Sequence, residues 1–218
     1  MTVDIDAVRR NVAELHEELT RNGLVVWTQG NISERVPESE LVVIKPSGVA
    51  YADLSPEAMV VVDLDGNVVD GDLSPSSDTA THLYVYRELD WVGGLAHTHS
   101  AYATAWAARG EPIPCVLTAI ADEFGGDIPL GPFARIGGEE IGQGIVDTLR
   151  DSRSRAVLMR SHGVFTIGAD AREAVKSAVM CEDAARTVLL AHGLGPLERL
   201  SQDDIDALHD RYQNVYGQ

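Results

Sequence analysis

A mixed, largely antiparallel sheet with helices on both faces is the fold this sequence predicts, an α/β architecture forming one domain over residues 1–218. Three observations carry that reading. Helical periodicity is concentrated at the two ends and in the middle of the chain, and clusters of short β-rich runs with hairpin turns lie between them. Regular strand-helix-strand alternation is absent, which argues against a doubly wound parallel sheet. A chain of 218 residues without a Gly/Ser/Pro-rich linker is long enough to bury a full core as one unit.

The elements follow in order. Val8, Val12, Leu15 and Leu19 recur at helical spacing, so a helix is expected from about residue 5 to 22 with Gly23 as its stop. Leu41–Ile44 is a β-rich run, and Met59–Leu64 and Asn67–Val69 flank the hairpin turn signal Asp65-Gly66. Ser76 or Ser77 is placed to cap a helix running through His82, Tyr84 and Tyr86. Gly93-Gly94 then breaks the chain before a strand at Leu95–Ser100, and a helix over Ala101–Ala108 ends at Gly110. Strands are expected near Ile113–Leu117, at Ala156–Arg160 and at Val164–Ile167. Asp170 with Glu173 resembles a capping box opening a long helix to Gly193, and Ser201 with Asp204 opens a last one.

Composition narrows the function classes. Lys and Arg number 17 against 34 Asp and Glu, and a net charge of −17 repels polyanions, so neither nucleic acid nor an anionic membrane is an expected partner. No basic, apolar leader and no run of about 18 apolar residues occurs, so a cytoplasmic location is expected. Cys115 and Cys181 lack CxxC spacing and lie in apolar contexts, as buried reduced thiols do.

The chemistry-bearing residues begin with His97-Thr98-His99. Residues i and i+2 of a strand share a face, so both imidazoles can address one ion. His162, in the tight Arg160-Ser161-His162-Gly163 turn between two strand-like runs, can bring a third imidazole to the same edge, and Asp78, at a helix start, a carboxylate. Three His and a carboxylate suit Zn²⁺, with Mn²⁺, Co²⁺ or Fe²⁺ also compatible. A lone HxH pair is more often a pair of hydrogen-bonded strand residues, and only the additional ligands give it weight. The remaining histidines lack comparable neighbours, and His16, His82 and His192 read as structural.

Gly30-Asn31, Lys45-Pro46-Ser47-Gly48 and Pro75-Ser76-Ser77-Asp78 read as three short polar loops whose backbone N–H and hydroxyl donors suit an oxyanion. Lys45 is one of two lysines in the chain, the other being Lys176, and its compact ammonium could serve a phosphate or a substrate hydroxyl.

Taken in order, Gly30-Asn31-Ile32-Ser33, Lys45-Pro46-Ser47-Gly48, Pro75-Ser76-Ser77-Asp78, His97-Thr98-His99-Ser100, Ser161-His162-Gly163 and Tyr216-Gly217-Gln218 resemble the class II aldolase/adducin superfamily over nearly the whole chain. Within it, Asp78 stands where sugar-phosphate aldolases carry Glu, which leans the resemblance towards the L-ribulose-5-phosphate 4-epimerase branch. The resemblance implies that His97, His99 and His162 bind Zn²⁺ with Asp78 close to the ion. It implies that Asn31, Ser47, Gly48, Ser76 and Ser77 hold a phosphate with Lys45 nearby, and that Asp122 and Tyr216 are acid/base residues. It also implies a cyclic homotetramer with active sites between subunits. His209 and Arg211 match a His and an Arg of the epimerase tail, whereas Gln29 and Glu123 replace aromatic residues there.

The expected reaction is epimerisation at C4 of a ketopentose 5-phosphate. That C–H is not α to the C2 carbonyl, so retro-aldol cleavage of C3–C4, rotation of the retained aldehyde and re-addition is the better route. A metal-stabilised enediolate and two proton-handling groups on opposite faces, Asp122 and Tyr216, meet its demands. The nearest alternative is a sugar-phosphate aldolase of the L-fuculose-1-phosphate type that releases both fragments; a non-catalytic adducin-like scaffold is disfavoured by the intact histidines.

Overall fold

The computed structural model describes residues 4–215, so Tyr216 lies outside the described residues. Eight strands form one sheet: β1 (Asn31–Arg35), β2 (Leu41–Ile44), β3 (Val60–Asp63), β4 (Val68–Asp70), β5 (Gly94–Thr98), β6 (Leu130–Gly131), β7 (Ala156–Met159) and β8 (Gly163–Gly168). Their spatial order is β4-β3-β2-β1-β5-β8-β7-β6, and every pairing is antiparallel except β6 with β7. The helices are α1 (Ile5–Arg21), α2 (Thr79–Glu88), α3 (Ala101–Arg109), α4 (Thr118–Phe124), α5 (Glu140–Leu149), α6 (Ala171–His192) and α7 (Gln202–Val215).

Alternation along the strands builds a core on each face. Val42, Ile44, Val60, Val62, Leu95, Val157 and Phe165 pack against α2 and α5 on one side. Val43, Val61 and Ala96 pack against α1 and the first half of α6 on the other. Ala156, Leu158 and Val164 extend that second layer under α3, α4 and the second half of α6, with Ile205 of α7 joining it. The mixed, largely antiparallel sheet with helices on both faces is therefore observed.

Local signals account for most boundaries. The side chain of Asp4 caps α1 by accepting from the Ala7 N–H at 3.0 Å, and Asp170 caps α6 by accepting from the Glu173 N–H at 2.8 Å. Glu173 in turn reaches back to the Ala169 N–H. Cys115 and Cys181 are buried free thiols, as expected.

Three expectations need correction, and one helix, α5, went unpredicted. The stretch Ile113–Leu117 is not a strand: Ile113 makes one isolated bridge to Ile128, and the chain then enters α4, whose N-cap Leu117 makes no side-chain capping bond. The N-cap of α2 is Asp78 rather than either serine, and its carboxylate does not cap the helix. Instead Ser76 supports the turn, its carbonyl accepting from the Thr79 N–H and hydroxyl.

Asn31 opens a central strand rather than sitting in a loop, with His97 of β5 as its register partner. That strand is polar on one face because Ser33 lies at hydrogen-bond distance from His82 Nδ1 (2.7 Å) and Tyr86 OH (2.8 Å) of α2. Helix α5 is disguised by two glycines, which lower helix propensity. A Cβ on Gly142 would come within 2.7 Å of Tyr84 Cβ and 2.8 Å of the Thr81 carbonyl oxygen, so close α2–α5 packing requires a glycine there.

Candidate metal centre and phosphate cleft

His97 sits on central strand β5 and His99 just past its end, while His162 enters from the β7–β8 turn. Two features aim that turn. Ser161 adopts a left-handed φ of 59°, and Gly163 passes so close to β5 that a Cβ would meet the Thr98 carbonyl oxygen at 2.6 Å and His99 Cδ2 at 3.2 Å. The result is convergence of His97, His99 and His162, with one ligand atom from each lying within 4.8 Å of the others. Nε2 of His97 and Nε2 of His99 are 3.0 Å apart.

The donor set fits a divalent cation. His97 Nδ1 lies 2.9 Å from the Val164 carbonyl, which can only accept, so Nδ1 carries the proton and Nε2 offers its lone pair to the cluster. Phe165 stacks on the same ring at 4.0 Å between centroids and fixes its plane. Burial pushes the His97 pKa down to about 3, and burial also lowers His99 and His162, so all three imidazoles favour the neutral form that a metal ligand requires. His162 Nδ1 is buried and has no protein hydrogen-bond partner.

Asp78 lines the same cleft but is not one of the three convergent ligands; its Oδ2 accepts from Asn31 Nδ2 at 2.7 Å. Burial raises its carboxyl, and the neighbouring imidazoles together with the Asn31 amide outweigh that, leaving it below the usual carboxylate range. Asn31 also donates to Ser76 Oγ at 3.1 Å, and its own Oδ1 is buried without a partner.

The cleft has a volume of about 300 Å³ and brings Gly30, Asn31, Lys45, Ser47, Gly48, Ser76, Ser77 and Asp78 together with the three histidines. Two of its loops are stitched to each other. Pro46 faces Pro75 in an isolated antiparallel bridge, and since neither proline has an N–H, the neighbours make the bonds: Ser76 N–H to Lys45 O (3.0 Å) and Ser47 N–H to Ser74 O (2.9 Å). Lys45 is buried, its ammonium near the Pro46 carbonyl (3.2 Å) and over the Tyr51 ring, and desolvation lowers its pKa.

Asp122 is placed elsewhere. It lies on α4, its Oδ1 buried without a partner and its carbonyl accepting from His209 Nδ1 of α7 at 3.0 Å, and it does not line the cleft. Its neighbour Glu123 is tied to Ser177, Lys176 and Tyr212. Sequence reading missed Thr28, Gln29 and Ile136 as cleft residues. Thr28 and Gln29 border a recognised loop, whereas Ile136 comes from the segment before α5 and carries no signal of its own.

These features define a class before any particular relative. Residues 10–189 match the family described as Class II Aldolase and Adducin N-terminal domain, and the chain belongs to that family. Among solved structures, it is 27% identical to an L-fuculose 1-phosphate aldolase at a TM-score of 0.86, over 95% of this chain and 96% of that one. It is 26% identical to YgbL of Klebsiella pneumoniae, named as a candidate aldolase/epimerase/decarboxylase, at a TM-score of 0.82 over 94% and 98% of the two chains. The L-fuculose-1-phosphate aldolase of Thermus thermophilus is also 27% identical, at a TM-score of 0.72 over 88% and 100%. No described helix is long and apolar enough to cross a membrane.

Proposed function

We propose that this chain is a metal-dependent sugar-phosphate 4-epimerase that interconverts L-ribulose 5-phosphate and D-xylulose 5-phosphate through retro-aldol cleavage and re-addition. The observation that carries this reading is that one cleft holds both the imidazole cluster and the bridged Lys45–Gly48 and Ser76–Asp78 loops, with Asp78 following the serine pair. A cleft of about 300 Å³ lined by polar groups suits a small phosphorylated metabolite.

His97, His99 and His162 hold the cation, with Asp78 close to it. Zn²⁺, or Mn²⁺ or Co²⁺ in its place, supplies Lewis-acid stabilisation of the charge that develops on the ketose oxygens. Asn31, Lys45, Ser47, Gly48, Ser76 and Ser77 hold the phosphate, so the two-carbon aldehyde fragment is retained after C3–C4 opens. One proton leaves O4 as the aldehyde forms and one returns to O4 after its carbonyl has turned, and Asp122 and Tyr216 exchange them on opposite faces. Asp122 does not line the cleft of its own chain, and the family resemblance, in which the C-terminal tyrosine reaches a neighbouring subunit, favours a homotetramer with active sites between subunits. The net charge of −17 leaves nucleic acid and anionic membranes outside the partner set, and the setting is cytoplasmic.

The aldolase reading is favoured by a different observation, the 27% identity to an L-fuculose 1-phosphate aldolase. Product analysis separates the two. L-Ribulose 5-phosphate incubated with metal-loaded protein is expected to give D-xylulose 5-phosphate without free glycolaldehyde phosphate; accumulation of the aldehyde would replace epimerase by aldolase.

A further inference from the structure

Tyr51 opens a short 3₁₀ turn, Tyr51–Asp53, just past the Lys45–Gly48 loop. It is not among the residues that line the cleft, yet it touches two parts of the cleft wall. Its hydroxyl donates to the Gln29 carbonyl at 2.8 Å, and a Cβ on the adjacent Gly30 would meet that hydroxyl at 3.3 Å. Its ring also faces the Lys45 ammonium, with Nζ 5.4 Å from the ring centroid.

Lys45 needs such support. A buried ammonium is costly unless it is paired, and whereas Lys176 meets the Glu123 carboxylate at 2.8 Å, Lys45 makes no ion pair among the described residues. Its nitrogen carries three N–H donors. The Pro46 carbonyl at 3.2 Å and the Thr28 carbonyl at 3.4 Å accept two of them, which leaves a third for an oxygen in the cleft that Lys45 lines. The Tyr51 ring offers its negative face to the cation without consuming a donor. We propose that Tyr51 is a positioning residue of the cleft: its ring fixes the Lys45 ammonium and its hydroxyl fixes the Gln29 backbone, so that both are preset for one oxyanion. Without the ring, the long lysine side chain is ordered only when the anion arrives, and binding bears that cost. The inference rests on the phosphate reading of the cleft given above and is independent of whether the reaction is epimerisation or aldol cleavage.

Inorganic phosphate is the probe, titrated calorimetrically into the metal-loaded protein and again after metal removal. Tyr51→Leu, which loses both contacts, is expected to raise the phosphate Kd about 10-fold, the scale set by immobilising one long side chain on binding. Tyr51→Phe, which keeps the ring, is expected to recover most of that loss. In a Lys45→Met background, where the ring has no cation to hold, Tyr51→Leu should cost much less than in the wild type. Tyr51→Met replaces the leucine variant should that one not fold. A wild-type Kd in Tyr51→Leu would overturn the proposal, as would no recovery in Tyr51→Phe or an undiminished loss in the Lys45→Met background, the signature of a purely structural role. A loss seen only with metal present would place the anion on the ion and overturn it too. No phosphate binding by the wild type in either state would remove the phosphate reading and this inference with it, whereas intact wild-type binding with indifferent Tyr51 variants would remove this inference alone.

Discussion

The Nε2 atom of His16 accepts the backbone N–H of Ile32 at 3.1 Å, while its Nδ1 bonds the Val12 carbonyl at 2.7 Å. One neutral imidazole thus fastens α1 to the central strand, immediately beside Asn31. Burial pushes its pKa down to about 3. The unfolded chain takes up a proton near pH 6.5 that the folded chain refuses, so stability present above pH 6.5 is lost as pH falls towards 3, at up to about 1.4 kcal/mol per unit. Chemical denaturation between pH 4 and 7 is expected to show a slope for His16→Gln that is shallower than wild type by about one proton. Equal slopes would remove His16 from the acid sensitivity.

Metal binding should be visible as stability. Zinc at about 100 times its dissociation constant stabilises a folded site by about 2.7 kcal/mol. Thermal melts are expected to rise with Zn²⁺ and fall back with a chelator in wild type, and to be metal-insensitive in His97→Ala. Elemental analysis of the two proteins checks the same point directly.

Asn31 donates to both Asp78 and Ser76. A hydrogen bond to a charged group is worth about 1.5–3 kcal/mol, so Asn31→Ala should lower kcat/KM by roughly 10- to 100-fold. Asn31→Asp sets a second carboxylate against Asp78 and is expected to cost more than the alanine. Steady-state kinetics with metal content measured in parallel distinguishes loss of orientation from loss of the ion.

Asp122→Asn and Tyr216→Phe should cut turnover while leaving bound metal at the wild-type level. Mixing the Asp122 variant with a His97→Ala variant adds a second readout. If Asp122 acts in a neighbour's cleft, mixed oligomers regain activity that neither parent has, and no recovery would place it elsewhere.

Gly142→Leu tests the packing of α5 against α2. The added side chain must displace Tyr84 and the Thr81 carbonyl, where even a Cβ lies at 2.7 and 2.8 Å. Overpacking of this kind costs about 1–3 kcal/mol, so urea denaturation should register a lower midpoint.

The parts of this fold that are legible in sequence are those whose burial follows a simple period. Val8, Val12, Leu15 and Leu19 announce α1, and the Asp170 cap announces α6. β1 escapes because Asn31 and Ser33 are polar yet buried, bonded to Ser76, Asp78, His82 and Tyr86, partners more than forty positions away. α4 escapes because its N-cap is a leucine that makes no capping bond, and α5 because its packing demands glycine. At the site, the HxH pair and the Ser-His-Gly turn reveal the imidazole cluster. The bond from Asn31 to Asp78 and the distance of Asp122 from the cleft depend on tertiary packing, which no local pattern encodes.

The bridge between Pro46 and Pro75 has an evolutionary consequence. Ser47 and Ser76 are anchored through each other's loop backbones, so lengthening either loop alone would break the pairing that sets the height of both. Substrate preference in chains built this way is therefore expected to change by exchange of single side chains on a fixed two-loop frame, and a transplant from a relative should carry both segments together or fail.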